Sequence, residues 1–180
     1  MSGIRARGLP ALPGLSRFPE LNVRTYVTID GKPGVFFFSL DAANLPAVWA
    51  ARTFYRLPYF HSRMSIAEKD GWLHYSSKRH RTEAEFRGRY RPIGPVQLCA
   101  SGSLTYWLTE RYCLYTVAGN NIYRADIHHM QWSLQDVELD VESNTMAQSA
   151  GISLPRTPPL LHCRAASKFL FGRYSAWMSS

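Results

Sequence analysis

Arg24 and Tyr26 stand two residues apart in Asn22-Val23-Arg24-Thr25-Tyr26-Val27, where Val23, Thr25 and Val27 alternate with Asn22, Arg24 and Tyr26. A period of two belongs to a half-buried strand, so the guanidinium and the phenol share the face opposite the valines. If that face lines an interior, the arginine needs an anion there, because an unpaired buried charge is too costly. Glu85 or Glu110 could supply it from within the chain, and an anionic ligand could supply it from outside. His128-His129 invites a metal, yet neighbouring residues of a strand point to opposite faces and cannot both reach one ion. With no HExxH or HxH spacing and no supporting acidic cluster, the pair reads as hydrogen-bonding histidines beside a ligand or in the core, and no metal is expected. The chain also carries no nucleophile elbow, phosphate loop or dinucleotide fingerprint. No cofactor is expected, and hydrolase or nucleotide chemistry has no motif to announce it.

The charges narrow the ligand class. Lys+Arg 21 against Asp+Glu 13 leaves a formal +8, and only Lys32, Lys69, Lys78 and Lys168 of the cations are lysines. Arginine suits carboxylate or phosphate, whereas a lysine able to act as a neutral nucleophile is scarce. The excess is scattered, with clusters at Lys78, Arg79 and Arg81 and at Arg87, Arg89 and Arg91 that serve a solvated surface as readily as a binding one. Aromatic residues at 13% could join those arginines as a nucleic-acid stacking platform. Phe36, Phe37, Phe38, Trp49, Phe54 and Trp107 fall at positions that read as core, however, so nucleic acid is the lesser expectation. Cys99, Cys113 and Cys163 are odd in number and lack a CxxC pair, which fits reduced thiols in the cytoplasm. Apolar runs such as Val35 to Phe38 are far shorter than the roughly 18 residues of a membrane helix. The stretch after Arg5 and Arg7 is broken by Pro10 and Pro13 and makes no export signal.

These residues need a scaffold, and 180 residues at 46% hydrophobic and 19% charged fit a single domain with its own core. Residues 1–20 read as an irregular Gly, Pro and Arg lead-in, and 21–180 as the folded unit. Strands 22–29 and 35–40 form a hairpin about Asp30-Gly31-Lys32-Pro33-Gly34. Asp41 sits where a helix cap belongs, with Pro46 in the first turn of a helix over 44–55. Strands follow at 61–68, 72–80 and 82–91, then a short helix over 103–110 capped by Ser103. Strands resume at 112–117 and 122–128 around Gly119-Asn120-Asn121, and Val137, Leu139 and Val141 alternate with acidic residues in a strand wet on one side. A short helix at 143–150 and two terminal strands complete the count. Nine or ten strands with two or three short helices predict a β-rich α+β fold, an antiparallel sheet closed or nearly closed into a barrel with helices on its rim.

Several ordered segments together resemble one family. Asn22 to Val27, Gly34 to Ala42, Leu57-Pro58-Tyr59, Leu108 to Tyr112 with Leu114-Tyr115, and Ile127-His128-His129 with Trp132 are similar to the YqjF-like family of bacterial domains of unknown function. The resemblance runs from about Arg17 to the C-terminus. It implies an acetoacetate-decarboxylase-like barrel with peripheral helices and an internal cavity, and it implies no established activity. Relatives begin some tens of residues earlier with strands that help complete the barrel, so closure is in question here. Many also have a proline where this chain has Gln131. The decarboxylases of that superfamily form a Schiff base on a lysine in a segment of the type Gly-Arg-Glu-x-x-Gly-x-Pro-Lys. Laid on Ala51 to Tyr59, the arginine falls on Arg52 and the proline on Pro58, but Tyr59 takes the place of the lysine. A tyrosine forms no imine, so decarboxylation through one is not expected.

The combined reading is a cytoplasmic barrel protein that holds a small anionic or carbonyl-bearing organic molecule in its cavity. Arg24 and Arg52 are the expected anchors, with Tyr26 beside them, Tyr59 and His61 the hydrogen-bonding or acid-base groups, and His128 with Trp132 the cavity mouth. The competing reading is an interaction module whose basic strands between Lys78 and Arg91 meet nucleic acid or an acidic partner. Missing N-terminal strands would leave 22–29 or 35–40 as an open edge, through which copies of the chain could pair.

Overall fold

The computed structural model describes residues 18–164 and the backbone of residues 176–179, so most of the expected lead-in lies outside the described residues. β1 (Glu20–Ile29) and β2 (Lys32–Ala42) form the expected hairpin. Its two-residue turn places both Asp30 (φ 51°) and Gly31 (φ 72°) in the left-handed region, which suits the twist of the flanking strands. The same Asp-Gly turn joins β3 (Tyr59–Lys69) to β4 (Trp72–Arg79). β5 (Glu85–Leu98) continues the sheet, and β6 (Cys113–Ala118) and β7 (Asn121–Asp126) form a third hairpin. β8 (Ser133–Asn144), β9 (Leu160–Arg164) and β10 (Ala176–Ser179) follow.

Helix α1 (Leu45–Tyr55) is the crossover between β2 and β3. Asn44 caps it, its side-chain oxygen accepting from the Ala47 N–H at 2.9 Å, and Asp41 does not. β2 instead runs on through Ala42, which carries Asp41 into the interior. Helices α2 (Leu104–Thr109) and α3 (Met146–Ser149) are short, and Ser103 caps α2 as expected.

Strand order is β10-β9-β8-β5-β4-β3-β2-β6-β7, with β1 also on β2. The pairings are antiparallel except β2 with β3 and β2 with β6. Among the described residues no ladder joins the two ends, so the sheet is open where one closed or nearly closed into a barrel was expected. It is nonetheless curled, because Leu21 and Val23 of β1 pack against Ala84, Phe86 and Met146 from the far side. A second cluster forms where Val48 of α1 packs on Val35, Phe37, Leu40, Ala42 and Tyr59. Trp49 and Phe54, expected in the core, lie on the outer side of α1 at 62% and 68% exposure, and Trp107 and Phe38 are also exposed. The expected edge at residues 35–40 is not one, since β2 has β1 on one side and β3 and β6 on the other.

Inside the curl, Arg79 donates from Nε and Nη2 to both carboxylate oxygens of Asp41 at 2.7 Å, and Ser62 Oγ donates to Oδ1 at 2.6 Å. The Arg79 guanidinium also lies 3.9 Å from the centre of the Phe60 ring. Both charges are buried, and each is satisfied by the other.

Candidate functional site

The second edge of β2 is shared. β6 pairs with Val35 and Phe36, and β3 pairs only from Leu40 onward, so among the described residues Phe37, Phe38 and Ser39 have no strand neighbour on that side. A groove of about 410 Å³ opens at this split, walled by Phe36, Phe38 and Pro58 and flanked by Arg52, Arg56 and Thr116. Arg52 and Arg56 are four residues apart, a spacing that sets both on one side of α1 and its C-cap. Arg56 is held at φ 55°, a costly backbone for a residue with a Cβ. Its N–H bonds back to the Ala51 carbonyl, and Thr116 Oγ1 donates to its own carbonyl at 2.8 Å. Its guanidinium sits 5.1 Å from the centre of the Tyr123 ring. Among the described residues neither Arg52 nor Arg56 forms an ion pair. Two cations beside an aromatic wall, with no carboxylate paired to them among the described residues, can take an anion with an apolar body.

The other expected residues are spread over the molecule. Arg24 Nη2 donates to Tyr26 Oη at 2.9 Å, and Tyr26 Oη donates to the Leu108 carbonyl at 3.0 Å. The Tyr26 ring leans on Trp107 with centroids 4.9 Å apart, and Arg111 lies over Trp107 at 4.1 Å. Burial pulls the Arg24 guanidinium below its ordinary pKa, partly countered by Tyr26. Glu85 meets Lys78 and Arg87. Glu110 accepts from Tyr112 Oη, and that bond, followed by burial, pushes the Tyr112 phenol up to about 12.

Tyr59 is buried and donates to Glu20 Oε2 at 2.6 Å. Burial first, and then the Glu20 carboxylate, raises its phenol far above the ordinary value. His61 lies on the outer surface with its ring 6.2 Å from that of His80. His128 is exposed, whereas its neighbour His129 stacks on Tyr112 at 4.8 Å and on Trp132 at 5.0 Å. Of the seven expected residues, Arg52 alone borders the groove, and Arg24 and Tyr26 are brought together elsewhere. Arg56 and Thr116, which border the groove, were missed. The i, i+4 spacing of the two arginines was a visible signal for Arg56, and none marked Thr116, whose role depends on β6 reaching α1. Among the described residues no group of three or more His, Cys, Asp or Glu side chains could hold a metal ion.

An open, curled α+β sheet with one crossover helix and a cationic groove at the split in the sheet defines the class. The chain belongs to the DUF2071 family, described as an uncharacterized conserved protein, whose profile matches residues 1–168. It is similar to the "Uncharacterized protein YqjF" of Bacillus subtilis (strain 168), with 47% identity over 178 residues that cover 98% of this chain and 74% of that protein. No solved structure matches. Among the described residues no helix is long and apolar enough to cross a membrane.

Proposed function

We propose that this protein is a cytoplasmic member of the acetoacetate-decarboxylase-like superfamily that binds a small organic anion without a lysine Schiff base. Arg52 and Arg56 clasp its charged end, and Phe36, Phe38 and Pro58 receive its apolar end. The observation that carries this reading is the pair of guanidinium groups that, among the described residues, have no carboxylate partner and line with aromatic rings a groove of about 410 Å³, within the range of small-molecule sites. Tyr59 stands where the superfamily places its lysine and is engaged with Glu20. The reading that a basic wall meets nucleic acid has less support, because Arg87 meets Glu85 along β5 and Glu142 on β8, and Arg89 and Arg91 meet Asp140 and Glu138 across to β8.

A thermal-shift series with benzoate, phenylacetate, short 2-oxo acids and ketones tests the groove. Carboxylates should raise the melting temperature in a saturable way, and Arg52→Ala and Arg56→Ala should each weaken binding about tenfold or more, as loss of a charge-assisted hydrogen bond implies. Stabilisation that survives both substitutions rejects the groove, and stabilisation lost only in Arg24→Ala moves the site to Tyr26. Pairing of two copies through the outer edge of β1 or β7, neither of which has a second strand neighbour among the described residues, belongs to the same proposal. Sedimentation over a range of concentrations tests it.

A further inference from the structure

Asp136 on β8 and His162 on β9 are cross-strand partners, with the carboxylate Oδ1 3.2 Å from the imidazole Nδ1. On the far side of the ring, Nε2 lies 3.2 Å from Thr105 Oγ1 on α2. An ionised carboxylate can only accept, so the tautomer that suits this pair has its proton on Nδ1, which leaves Nε2 a lone pair for the threonine hydroxyl. We propose that Asp136, His162 and Thr105 form a carboxylate–imidazole–hydroxyl relay that hydrolyses short carboxylic esters, with Thr105 as the nucleophile.

Three observations support the assignment. First, the relay opens on a pocket of about 240 Å³ lined by Leu98, Leu134, Gln97 and Cys99 besides Thr105 and His162. Its size suits a short acyl group against the two leucines, and Gln97 offers an amide donor for a developing oxyanion. Second, the imidazole is mostly covered, at 18% exposure, which holds it in place between its partners. Third, the competing nucleophiles are engaged or inactive. Ser103 Oγ donates to the Ala100 carbonyl at 2.7 Å and accepts from the Tyr106 N–H at 3.1 Å. Burial, followed by the Glu110 carboxylate, pushes the Cys99 thiol up and keeps it protonated. A register shift between Ile93 and Gln97 positions the pocket: β5 bulges at Gly94, Pro95 and Val96, then resumes pairing with Leu134 and Ser133.

In the first half-reaction, Thr105 Oγ1 adds to the acyl carbon as its proton passes to His162 Nε2. The intermediate then collapses by breaking the bond to the alkoxy oxygen, which takes that proton and leaves as alcohol. In the second half, water loses a proton to Nε2 and attacks the acyl-threonine, and the proton returns to Oγ1 as the carboxylic acid departs. The sum is ester plus water giving acid plus alcohol. Asp136 touches no substrate and is a positioning residue.

The test mixes the full chain rapidly with p-nitrophenyl acetate and digests the quenched protein for mass spectrometry. A burst of p-nitrophenolate is expected, with the acetyl group on the peptide that carries Thr105. Thr105→Val and His162→Ala should lower turnover about 100-fold or more, and Thr105→Ser should retain it. Asp136→Asn should lower kcat with KM unchanged, and Asp136→Glu should recover part of the loss. Melting curves show whether each variant folds, and the hydroxyl-retaining Thr105→Ser and the near-isosteric Asp136→Asn decide if Thr105→Val does not. Absence of turnover in the wild type, acetyl found on Cys99 or a lysine, or full activity in Thr105→Val overturns the proposal. None of these readouts involves Arg52 or Arg56, so the anion groove stands or falls separately.

Discussion

Asp41 has no exposed surface, and its charge is tolerable only because Arg79 and Ser62 occupy its oxygens. Removing one partner of such a pair strands the other charge in a dry interior. Asp41→Ala is therefore expected to cost about 3–5 kcal/mol, read as a shift in the urea midpoint, while replacing both partners with apolar residues of similar volume should cost much less. Nothing in the local sequence separated this aspartate from a helix cap, because the partner that decides its role lies in β4. Glu20 poses the opposite problem. Burial raises its carboxyl above the ordinary value, outweighing the hydrogen bond from Tyr59. The folded state thus holds a proton that the unfolded chain releases earlier, so this contribution to stability is complete below the ordinary carboxylate range and is lost as pH rises through the raised value. Melting temperature against pH should fall across that window in the wild type and run flatter in Glu20→Gln.

The elements that could be read locally were read well. The hairpins turn on Asp-Gly pairs with both residues in left-handed backbone or on a Gly-Asn pair with Gly119 there, and alternation marked β1 and β8. Family membership, too, was legible in ordered segments spread along most of the chain. The aromatic residues of α1 were misread as core because a helix packed on one sheet face buries only a narrow stripe, here Val48, and leaves Trp49 and Phe54 to meet each other at 5.8 Å outside. The groove was only half visible. Arg52 and Arg56 are neighbours in sequence, but the split in the sheet arises from two parallel pairings of β2 that no local pattern records. Gly34 gives that split its shape: a Cβ there would meet the Cys113 carbonyl oxygen and the Tyr115 ring, each at 2.7 Å. Backbone cannot swing aside as a side-chain tip can. Gly34→Ala should cost about 1–3 kcal/mol by overpacking and weaken carboxylate binding as well, because Thr116 steadies Arg56 from the displaced strand. Calorimetry on the variant checks both effects.

At the scale of the whole molecule, the number of strands was foreseeable and their closure was not, since closure depends on which far-apart edges meet. The arginines expected to make a basic outer wall lie in register with acidic residues of β8, so Arg89 meets Asp140 and Arg91 meets Glu138. Most of the attraction that wall could exert at a distance is spent within it. The same ladder that fastens β5 to β8 along most of their lengths contrasts with the hold on the β6–β7 hairpin, whose backbone among the described residues pairs with β2 only at Val35 with Leu114 and Phe36 with Tyr115, helped by the exposed Lys32–Asp126 ion pair and the Tyr115 hydroxyl on the Lys32 carbonyl. Such unequal fastening sets a clock inside the native protein. Backbone amides of β7 should exchange with deuterium far sooner than those of the β5–β8 ladder, through openings that never unfold the rest. Because Tyr123 and Thr116 brace Arg56 from that hairpin, each opening also dismantles one wall of the groove. A carboxylate seated there should slow exchange in β6 and β7 while leaving β5 and β8 untouched.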